Sequence, residues 1–227
     1  ELMQKVYAKH GVYSFPGGNT GVQMGGWFRK EIKTLDDLKG LKMRIPGFAG
    51  EILAQLGATV TNIAPGELYT ALDRGTIDAL EWVGPALDLK MGFQKIAPYY
   101  YTGWHEPASE LQFMVNRKAF DELPKHLQEI LVTAMKAETL DSFARMFNDN
   151  AVNFATIRTD YPEVKVKTFS KEILDAMKEA NNRLLEETAA KDPLFKEVLD
   201  SQRAYQKNAR AWSIISDYAY MNDNQMN

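Results

Sequence analysis

With 227 residues, the chain is long enough to bury a substantial core, as one large domain or two small ones. Hydrophobic residues make up 45% and charged residues 25%, as in ordinary globular proteins, and no apolar run approaches the roughly 20 residues of a membrane span. The net charge of −3 gives no electrostatic case for a nucleic-acid or anionic-membrane partner, and the lack of cysteine excludes disulfides, thiolate nucleophiles and cysteine-ligated zinc.

The first part of the chain predicts short elements separated by glycine-rich turns. ELMQKVYAKHG has the pattern of the end of an amphipathic helix, which indicates that the chain starts in mid-fold, and it lacks the apolar core of a signal peptide. VYSF predicts a strand, PGGNTG a loop and VQMGGWF a second strand. In KTLDDLKG, Thr34 and Asp37 have the spacing of a capping box at the start of a helical turn.

The stretch GLKMRIPG predicts a short strand followed by a helix. Leu41, Met43 and Ile45 alternate as one buried face, which places Lys42 and Arg44 on the other face. Arg44 therefore lies at the mouth of a strand-to-helix turn, where ligands of open α/β sheets bind. The pattern alone leaves open whether Arg44 faces solvent or holds an anion.

Two helix–strand units follow, and they indicate a sheet covered by helices. GFAGEILAQLG-ATVTNIA and PGELYTALDRG-TIDALEW each predict a helix that ends at a glycine and leads into a strand, the second strand spanning Ile77–Trp82. Residues 83–109 are rich in aromatic residues, glycine and proline, and their weak periodicity predicts an irregular segment.

The second half of the chain is mainly helical. LQFMVN predicts a strand, and an unusually long helix is expected from about residue 124 to 160. VKVKTF predicts another strand, after which Ser170 caps a helix that runs to about Ala190. A last helix over 195–220 carries Tyr205, Trp212, Ile215 and Tyr218, and the tail NDNQMN is expected to be disordered.

Catalytic and nucleotide-binding motifs are largely missing. GGNTG lacks both the Walker lysine–serine pair and the spacing of a dinucleotide loop. His105 and Glu106 begin like HExxH, but Ser109 occupies the position of the second histidine and Pro107 would break the helix. No serine lies in a GxSxG elbow. The usual hydrolytic machinery is therefore absent, which disfavours an enzyme without excluding one.

Polar side chains interrupt four of the predicted apolar strands, namely Gln23, Arg44, Glu81 and Gln112. An unsatisfied buried polar group costs about 1–3 kcal/mol, so each needs a partner. In one interpretation they are separate residues that face solvent or pair internally. In the other interpretation, Arg44 binds a carboxylate through two parallel hydrogen bonds, and Glu81 together with amide oxygens binds a cation such as Na⁺ or Ca²⁺.

Three stretches of the chain resemble the solute receptors of TRAP transporters (the DctP-type family), and they do so in order along nearly the whole chain. They are GGNTGVQMGGWFRKEIKTLDDLKGLKMRIPG, GELYTALDRGTIDALEWVGP and YYYTGWHEPASELQFMVNRKAFDELP. The likeness is strongest to the branch that binds 2-oxo acids and related monocarboxylates with a metal ion. The resemblance implies an α/β, two-lobed periplasmic binding protein of the type II-like class, with a long helix that crosses both lobes.

The resemblance also implies a domain organisation. Relatives carry a secretory signal and a large part of lobe I before the segment that resembles residue 1, so the N-terminal part of lobe I is expected to be absent here. Residues 1–12 and 110–149 are expected to form the remainder of lobe I with the long helix. Residues 13–109 and 150–190 are expected to form lobe II, and 191–227 a C-terminal helical tail.

Carried over residue by residue, the resemblance gives each candidate a role. Arg44 matches the arginine that binds the ligand carboxylate. Gln23 stands where sugar-acid and dicarboxylate receptors have a second arginine, and this favours the metal-using branch, in which the glutamine contacts metal and ligand. Glu81 and Trp82 match that branch's Glu-Trp pair, the glutamate acting by its side chain and the tryptophan by its carbonyl. The same comparison makes Gln112 a further metal ligand and places Trp104, His105 and Glu106 at the pocket border.

The resemblance thus predicts a periplasmic, non-catalytic receptor for a small 2-oxo or 2-hydroxy monocarboxylate such as pyruvate or lactate, bound with Na⁺ or Ca²⁺. Its partner would be the TRAP membrane permease, and in this branch the C-terminal helix can mediate a homodimer; no nucleic acid and no membrane insertion are expected. Two alternatives stay open: a metal-assisted enzyme that uses Glu81 as a base on 2-oxo acids, and a two-lobed effector-sensing domain of a regulator.

Overall fold

The computed structural model describes residues 2–223, a mixed α/β chain with more helix than strand. Its strands are β1 (Val12–Asn19), β2 (Gly26–Phe28), β3 (Lys42–Arg44), β4 (Thr59–Thr61), β5 (Ala79–Leu80), β6 (Tyr99–Tyr101), β7 (Glu110–Asn116) and β8 (Lys165–Lys167). Its helices are α1 (Leu2–Ala8), α2 (Gly47–Gln55), α3 (Leu68–Asp73), α4 (Pro85–Met91), α5 (Arg117–Asp121), α6 (Lys125–Asp160), α7 (Lys171–Lys191), α8 (Pro193–Ser213) and α9 (Ala219–Asp223).

Six short strands form the main sheet in the order β4-β3-β5-β2-β6-β8. β3 runs parallel to both β4 and β5, whereas β2 is antiparallel to β5 and β6. As the alternation predicts, Leu41, Met43 and Ile45 are buried. Because β3 and β5 are parallel neighbours, the residues that follow them emerge at the same edge of the sheet.

β1 and β7 form a separate antiparallel pair. The strand predicted at VYSF is longer than expected and includes the first four residues of the predicted loop PGGNTG, because Pro16 and Gly18 are accommodated at a register shift opposite β7. The second strand is shorter than VQMGGWF predicts. The backbone N–H groups of Gln23, Met24 and Gly25 instead donate to three different segments; that of Gln23, for example, donates to the Glu106 carbonyl. Only Gly26–Phe28 therefore pairs as a regular strand.

The prediction that residues 83–109 are irregular is wrong for two of their segments. α4 begins at Pro85, whose missing N–H suits the first helical turn, and ends at Gly92 in the left-handed conformation with φ 82°. β6 then pairs with β2 and β8. The helix has only 7 residues, so its sequence carries less than two turns of periodicity.

The long helix is confirmed as α6, which has 36 residues. The last predicted helix is divided into α8, a π-helical turn at Ile214–Tyr218, and α9. Asn222 and Asp223 of the predicted disordered tail are helical, and residues 224–227 lie outside the described range. Among the described helices, none is long and apolar enough to cross a membrane.

The chain divides into two compact units, one spanning Met3–Asn181 and the other beginning at Asn182. The first contains both sheets and a core in which the side chains of α3, β2, β5 and β6 pack together. Trp27 and Tyr100 stack in this core with ring centroids 4.0 Å apart. The second unit contains the end of α7 together with α8 and α9, and it carries many exposed apolar side chains.

Candidate functional site

Arg44 and Glu81 meet where two parallel strands end. Arg44 is the last residue of β3 and Glu81 directly follows β5, and the Glu81 N–H donates to the Arg44 carbonyl over 2.9 Å. The Arg44 guanidinium donates in turn to the Glu81 carbonyl over 2.6 Å. The sheet register therefore places a buried arginine beside a buried glutamate at the edge where open α/β sheets bind ligands.

The Arg44 guanidinium is buried without a full set of acceptors. Its nearest carboxylate oxygen, on Glu81, lies 3.9 Å from Nη1, which is beyond hydrogen-bonding distance, and its Nε has no partner. Burial lowers the pKa of Arg44, and the charge of Glu81 opposes that effect only partly. Because an arginine stays charged in a protein, this geometry leaves a buried cation with capacity for an anionic ligand.

Glu81 likewise has an unsatisfied oxygen. Its Oε1 is buried without a hydrogen-bond partner, and the nearest cationic or ionisable nitrogen to it is His105 Nε2 at 3.8 Å. The Nδ1 atom of His105 is also buried and unpartnered. The site thus holds a carboxylate oxygen that could take a cation, next to a guanidinium that could take an anion.

Two tryptophans lie beside these charged groups. The Arg44 guanidinium lies 5.4 Å from the ring centroid of Trp82, which itself packs against the apolar core. Trp104 is 4.9 Å from the His105 ring, and its buried indole Nε1 has no acceptor. Apolar walls with a few unsatisfied polar atoms are typical of small-ligand sites.

Gln23 is buried at the edge of the same region. Its backbone N–H donates to the Glu106 carbonyl, and its side-chain Nε2 donates to Thr20 Oγ1 over 3.1 Å and to Ser109 Oγ over 2.9 Å. Ser109 donates to the Glu106 carboxylate over 2.6 Å. The structure thereby joins Gln23 and Glu106 through a hydrogen-bonded cluster that includes two hydroxyl groups not singled out from the sequence.

Gln112 lies elsewhere, on β7 of the two-stranded sheet, opposite Pro16. Its Oε1 accepts a hydrogen bond from the Tyr7 hydroxyl over 2.7 Å. None of the contacts described for residues 2–223 joins it to Gln23, Arg44 or Glu81. Its predicted role as a metal ligand therefore stays a prediction.

Asp88, which the sequence did not single out, supports the turn that follows Glu81 and Trp82. The carboxylate is fully buried and has four hydrogen-bond donors around it. Its Oδ1 accepts from the backbone N–H groups of Val83 and Gly84. Its Oδ2 accepts from the indole N–H of Trp27 and the hydroxyl of Tyr100. Burial raises the pKa of Asp88 to about 7, and burial beside Asp88 raises that of Tyr100 well above its usual value. Asp88 lies in the segment that was predicted to be irregular, and no sequence pattern there distinguishes it from an exposed aspartate.

The candidate metal ligands are oxygen atoms, which a hard cation would prefer. In residues 2–223, no three His, Cys, Asp or Glu side chains come together to hold a metal ion. Glu81 Oε1 is a buried oxygen without a partner. Together with the amide oxygen of Gln23 and the backbone carbonyl of Trp82, the other two donors predicted from the sequence, it would form an all-oxygen set with a single negative charge, suited to Na⁺ or Ca²⁺ and unsuited to zinc or copper.

Comparison with known protein families gives a match over most of the chain. The model of the DctP family, described as bacterial extracellular solute-binding protein, family 7, matches residues 1–192. A curated relative from Nostoc sp., the monocarboxylate 2-oxoacid-binding periplasmic protein, is 45% identical over 97% of this chain. The chain spans 60% of the length of that relative.

Solved structures of TRAP periplasmic solute-binding proteins superimpose closely. The protein from Colwellia psychrerythraea, with bound calcium and pyruvate, is 61% identical with a TM-score of 0.96 over 98% of this chain and 68% of its own. The protein from Pseudoalteromonas atlantica, with bound sodium and pyruvate, is 60% identical with a TM-score of 0.93 over 97% and 67%.

A more distant structure, from Bordetella bronchiseptica, is 38% identical with a TM-score of 0.92 over 98% of this chain and 66% of its own. It is a mixed-occupancy dimer with calcium and picolinate in one active site and an apo second site. The similarity in backbone thus persists as sequence identity falls from 61% to 38%.

Proposed function

The chain belongs to family 7 of the bacterial extracellular solute-binding proteins and has the fold of TRAP solute receptors, as its sequence predicts, and we propose that it captures a small 2-oxo or 2-hydroxy monocarboxylate together with Na⁺ or Ca²⁺. The protein would act as a periplasmic receptor that delivers its ligand to a TRAP membrane permease. Pyruvate and lactate are three-carbon members of the ligand class. The receptor binds its ligand and does not transform it.

The observation that carries the proposal is the incompletely paired Arg44–Glu81 couple. A buried arginine with a free Nε and a buried glutamate with a free Oε1 lie side by side, 3.9 Å apart at their closest charged atoms. Burying such charges costs free energy unless they are paired and hydrogen-bonded. A carboxylate on Arg44 and a cation on Glu81 would satisfy both at once and would also attract each other.

The carboxylate of the ligand is assigned to Arg44 because a guanidinium presents two parallel N–H donors to a carboxylate. Gln23, where dicarboxylate receptors have a second arginine, leaves the site with one such clamp and so favours a monocarboxylate. The pyruvate bound with calcium or sodium in the Colwellia and Pseudoalteromonas proteins supports this ligand class.

The cation is assigned to oxygen atoms of Gln23, Glu81 and Trp82, with Gln112 as a further candidate. A 2-oxo acid offers a carboxylate oxygen and a keto oxygen on adjacent carbons, and these two oxygens can chelate the same ion. The protein then needs to supply only the remaining ligands, which explains how one carboxylate, that of Glu81, can suffice.

The upper limit on the size of the ligand is assigned to aromatic and polar residues at the pocket border, namely Trp82, Trp104, His105 and Glu106. The unpartnered Nε1 of Trp104 and Nδ1 of His105 are available as hydrogen-bond groups toward a ligand. A pocket lined in this way would accept a three-carbon acid more readily than a long aliphatic one.

The wider organisation follows the family. Lobe II is proposed to comprise 13–109 and 150–190, and 1–12 with 110–149 to belong to lobe I, with capture of the ligand by hinge closure. A homodimer is proposed through the segment 191–227, where α8 and the following turn expose large apolar residues, among them Tyr205, Trp212, Ile215 and Tyr218. The dimeric structure from Bordetella supports a dimer.

Isothermal titration calorimetry tests the function directly. Pyruvate and lactate are titrated into the purified protein in buffers that contain Ca²⁺, Na⁺ or neither, the last with a chelator and potassium as the only cation. We expect tight binding only with Ca²⁺ or Na⁺, since the cation joins the ligand to Glu81. The absence of binding under all of these conditions would refute the proposal.

A turnover assay separates a receptor from an enzyme. The protein is incubated with pyruvate and Ca²⁺ for a day, and the acid is then quantified by NMR against a sample without protein. We expect full recovery of unchanged pyruvate. Conversion into any product would favour the alternative in which Glu81 is a catalytic base.

A further inference from the structure

The orientation of the Gln23 side chain is decided by two hydroxyl groups. A glutamine amide has one end that only donates and one that only accepts, and these ends have nearly the same shape. Gln23 is 4% exposed, and one end of its amide lies against Thr20 Oγ1 and Ser109 Oγ. Which end it is depends on where the two hydroxyl protons are.

Both hydroxyl protons are already used. Thr20 Oγ1 donates to the Gly21 carbonyl over 3.0 Å and accepts from the Ser109 N–H over 2.9 Å. Ser109 Oγ donates its proton to the Glu106 carboxylate over 2.6 Å. A hydroxyl group has a single proton, so toward Gln23 both oxygens can act only as acceptors.

The NH₂ end of Gln23 must therefore face the hydroxyl groups, and Oε1 must point away from them. The reverse orientation would set a carbonyl oxygen against two acceptors. This repulsion would be relieved only if the Thr20 hydroxyl gave up its hydrogen bond to the Gly21 carbonyl, or the Ser109 hydroxyl gave up its hydrogen bond to the Glu106 carboxylate. The amide is thus locked in one of its two orientations before any ligand arrives.

We propose that Thr20, Ser109 and Glu106 are positioning residues that lock the Gln23 amide with its oxygen available to the cation. This inference rests on the proposed function, in which Gln23 is a metal ligand. It assigns to Glu106 an indirect action through Ser109, besides its place at the pocket border. The cluster sits where the segment after β1 is bonded to the segment before β7, since the Thr20 N–H donates to the Ser109 carbonyl.

The first test compares variants that differ in one hydroxyl group. Thr20→Val removes the hydroxyl while keeping the branched shape, Thr20→Ser keeps the hydroxyl, and Ser109→Ala removes the other acceptor without disturbing the Ser109 N–H. Thr168→Val is the matched control, because Thr168 is exposed and its hydroxyl is bonded to that of Thr102, away from Gln23.

Calorimetry with CaCl₂, at a fixed pyruvate concentration, is expected to show about tenfold weaker Ca²⁺ binding for Thr20→Val and Ser109→Ala, a loss of the size of one net hydrogen bond. Thr20→Ser and Thr168→Val are expected to bind as the wild type does. Unchanged Ca²⁺ affinity in both hydroxyl-free variants, while Gln23→Ala abolishes binding, would overturn the positioning role and leave the proposed function standing.

A second readout does not depend on cation binding. In ¹⁵N-labelled protein, the side-chain NH₂ signals of Gln23, identified by their loss in Gln23→Leu, are expected to exchange slowly with solvent and to move to free-amide positions in the double variant Thr20→Val/Ser109→Ala. If the wild-type protein binds neither Ca²⁺ nor Na⁺, the proposed function fails. Free-amide signals in the wild type would overturn the locked orientation independently.

Discussion

Arg44 is the residue on which the proposed ligand binding depends most. A guanidinium that is buried beside a carboxylate normally forms two parallel hydrogen bonds with it, yet Arg44 donates to the carbonyl of Glu81 and lies 3.9 Å from its side chain. The lowered pKa of Arg44 reflects the same incomplete pairing, because the effect of burial outweighs the attraction of the Glu81 charge. An incoming carboxylate would restore the missing pairing.

Substitution of Arg44 separates charge from geometry. Arg44→Ala is expected to weaken pyruvate binding about a hundredfold or more, because two charge-assisted hydrogen bonds are lost. Arg44→Lys keeps the charge but not the two-pronged geometry, and a loss of about tenfold is expected. Affinities are measured by calorimetry, with circular dichroism as the check that the fold is retained. A lysine variant that binds as tightly as the wild type would contradict the clamp.

Asp88 predicts a pH dependence of stability. Its pKa of about 7 in the folded protein lies above the value near 4 of an unfolded chain, so the folded protein binds the extra proton between these values. The contribution of this group to the free energy of unfolding is therefore fully present below about pH 4 and is lost as the pH rises through about 7.

The measurement is urea unfolding of the wild type and of Asp88→Asn from pH 4 to 8. Because the asparagine does not titrate, the free energy of unfolding of the wild type relative to the variant is expected to fall as the pH rises across this range. A difference that stays constant would show that Asp88 does not bind a proton in this window.

Sequence patterns singled out the two charged candidates but not the residues that hydrogen-bond around them. Arg44 and Glu81 stand out because a charge interrupts an apolar strand next to a turn, and periodicity detects such a residue. Asp88, Thr20 and Ser109 do not interrupt any pattern. Their roles depend on partners distant in sequence, as with Asp88 and Trp27, which are 61 residues apart, and single-chain patterns contain no such information.

Among the elements, α6 and α4 are joined by one polar contact next to the site. The Asn150 side chain on α6 accepts a hydrogen bond from the Ala86 N–H over 2.9 Å, in the first turn of α4. Helix N-termini have N–H groups without partners inside the helix, and a side-chain oxygen that accepts from one stabilises the helix. α6 thereby caps the helix that follows Glu81 and Trp82.

Asn150→Ala is expected to lower the free energy of unfolding by about 1 kcal/mol, the usual effect of losing a helix cap. Asn148→Ala is the matched control, since Asn148 is exposed on the same helix and is bonded only to its neighbour Asp149 in the contacts described. Urea denaturation of both variants measures the difference. Equal stability of the two would show that the cap contributes nothing.

The predictability of the elements followed their length and periodicity. α6 and α7 were predicted nearly to the residue because 36 and 21 residues carry several helical repeats. Strands of 2 or 3 residues, such as β5 and β2, were predicted too long, because their ends are set by which neighbour offers a hydrogen bond. That choice depends on the tertiary fold.

For the whole molecule, the exposed apolar residues of the C-terminal segment make the oligomeric state testable. Trp212 and Tyr218 are each 66% exposed, and Tyr205 is 76% exposed. Exposed patches of large apolar residues are typical of protein–protein interfaces. We proposed a dimer through this segment, and Trp212→Ser is expected to convert that dimer into a monomer in sedimentation velocity experiments at micromolar concentration.

Lys207→Ser serves as the control for that experiment, because it changes an exposed polar residue on the same helix. It is expected to leave the sedimentation coefficient of the wild type unchanged. A wild-type protein that sediments as a monomer at every concentration would contradict the dimer but would not affect the assignment of the ligand site, because no site residue lies on α8.

In the proposed site, Arg44 holds the ligand carboxylate while oxygens of Gln23, Glu81 and Trp82 hold a cation that also binds the ligand. A crystal structure of the protein with pyruvate and CaCl₂ is the decisive experiment. We expect a carboxylate within hydrogen-bonding distance of the Arg44 guanidinium and a cation about 2.3–2.6 Å from six to eight oxygens, Glu81 Oε1 among them. A pyruvate bound away from Arg44, or density for pyruvate without a cation at Glu81, would refute this arrangement.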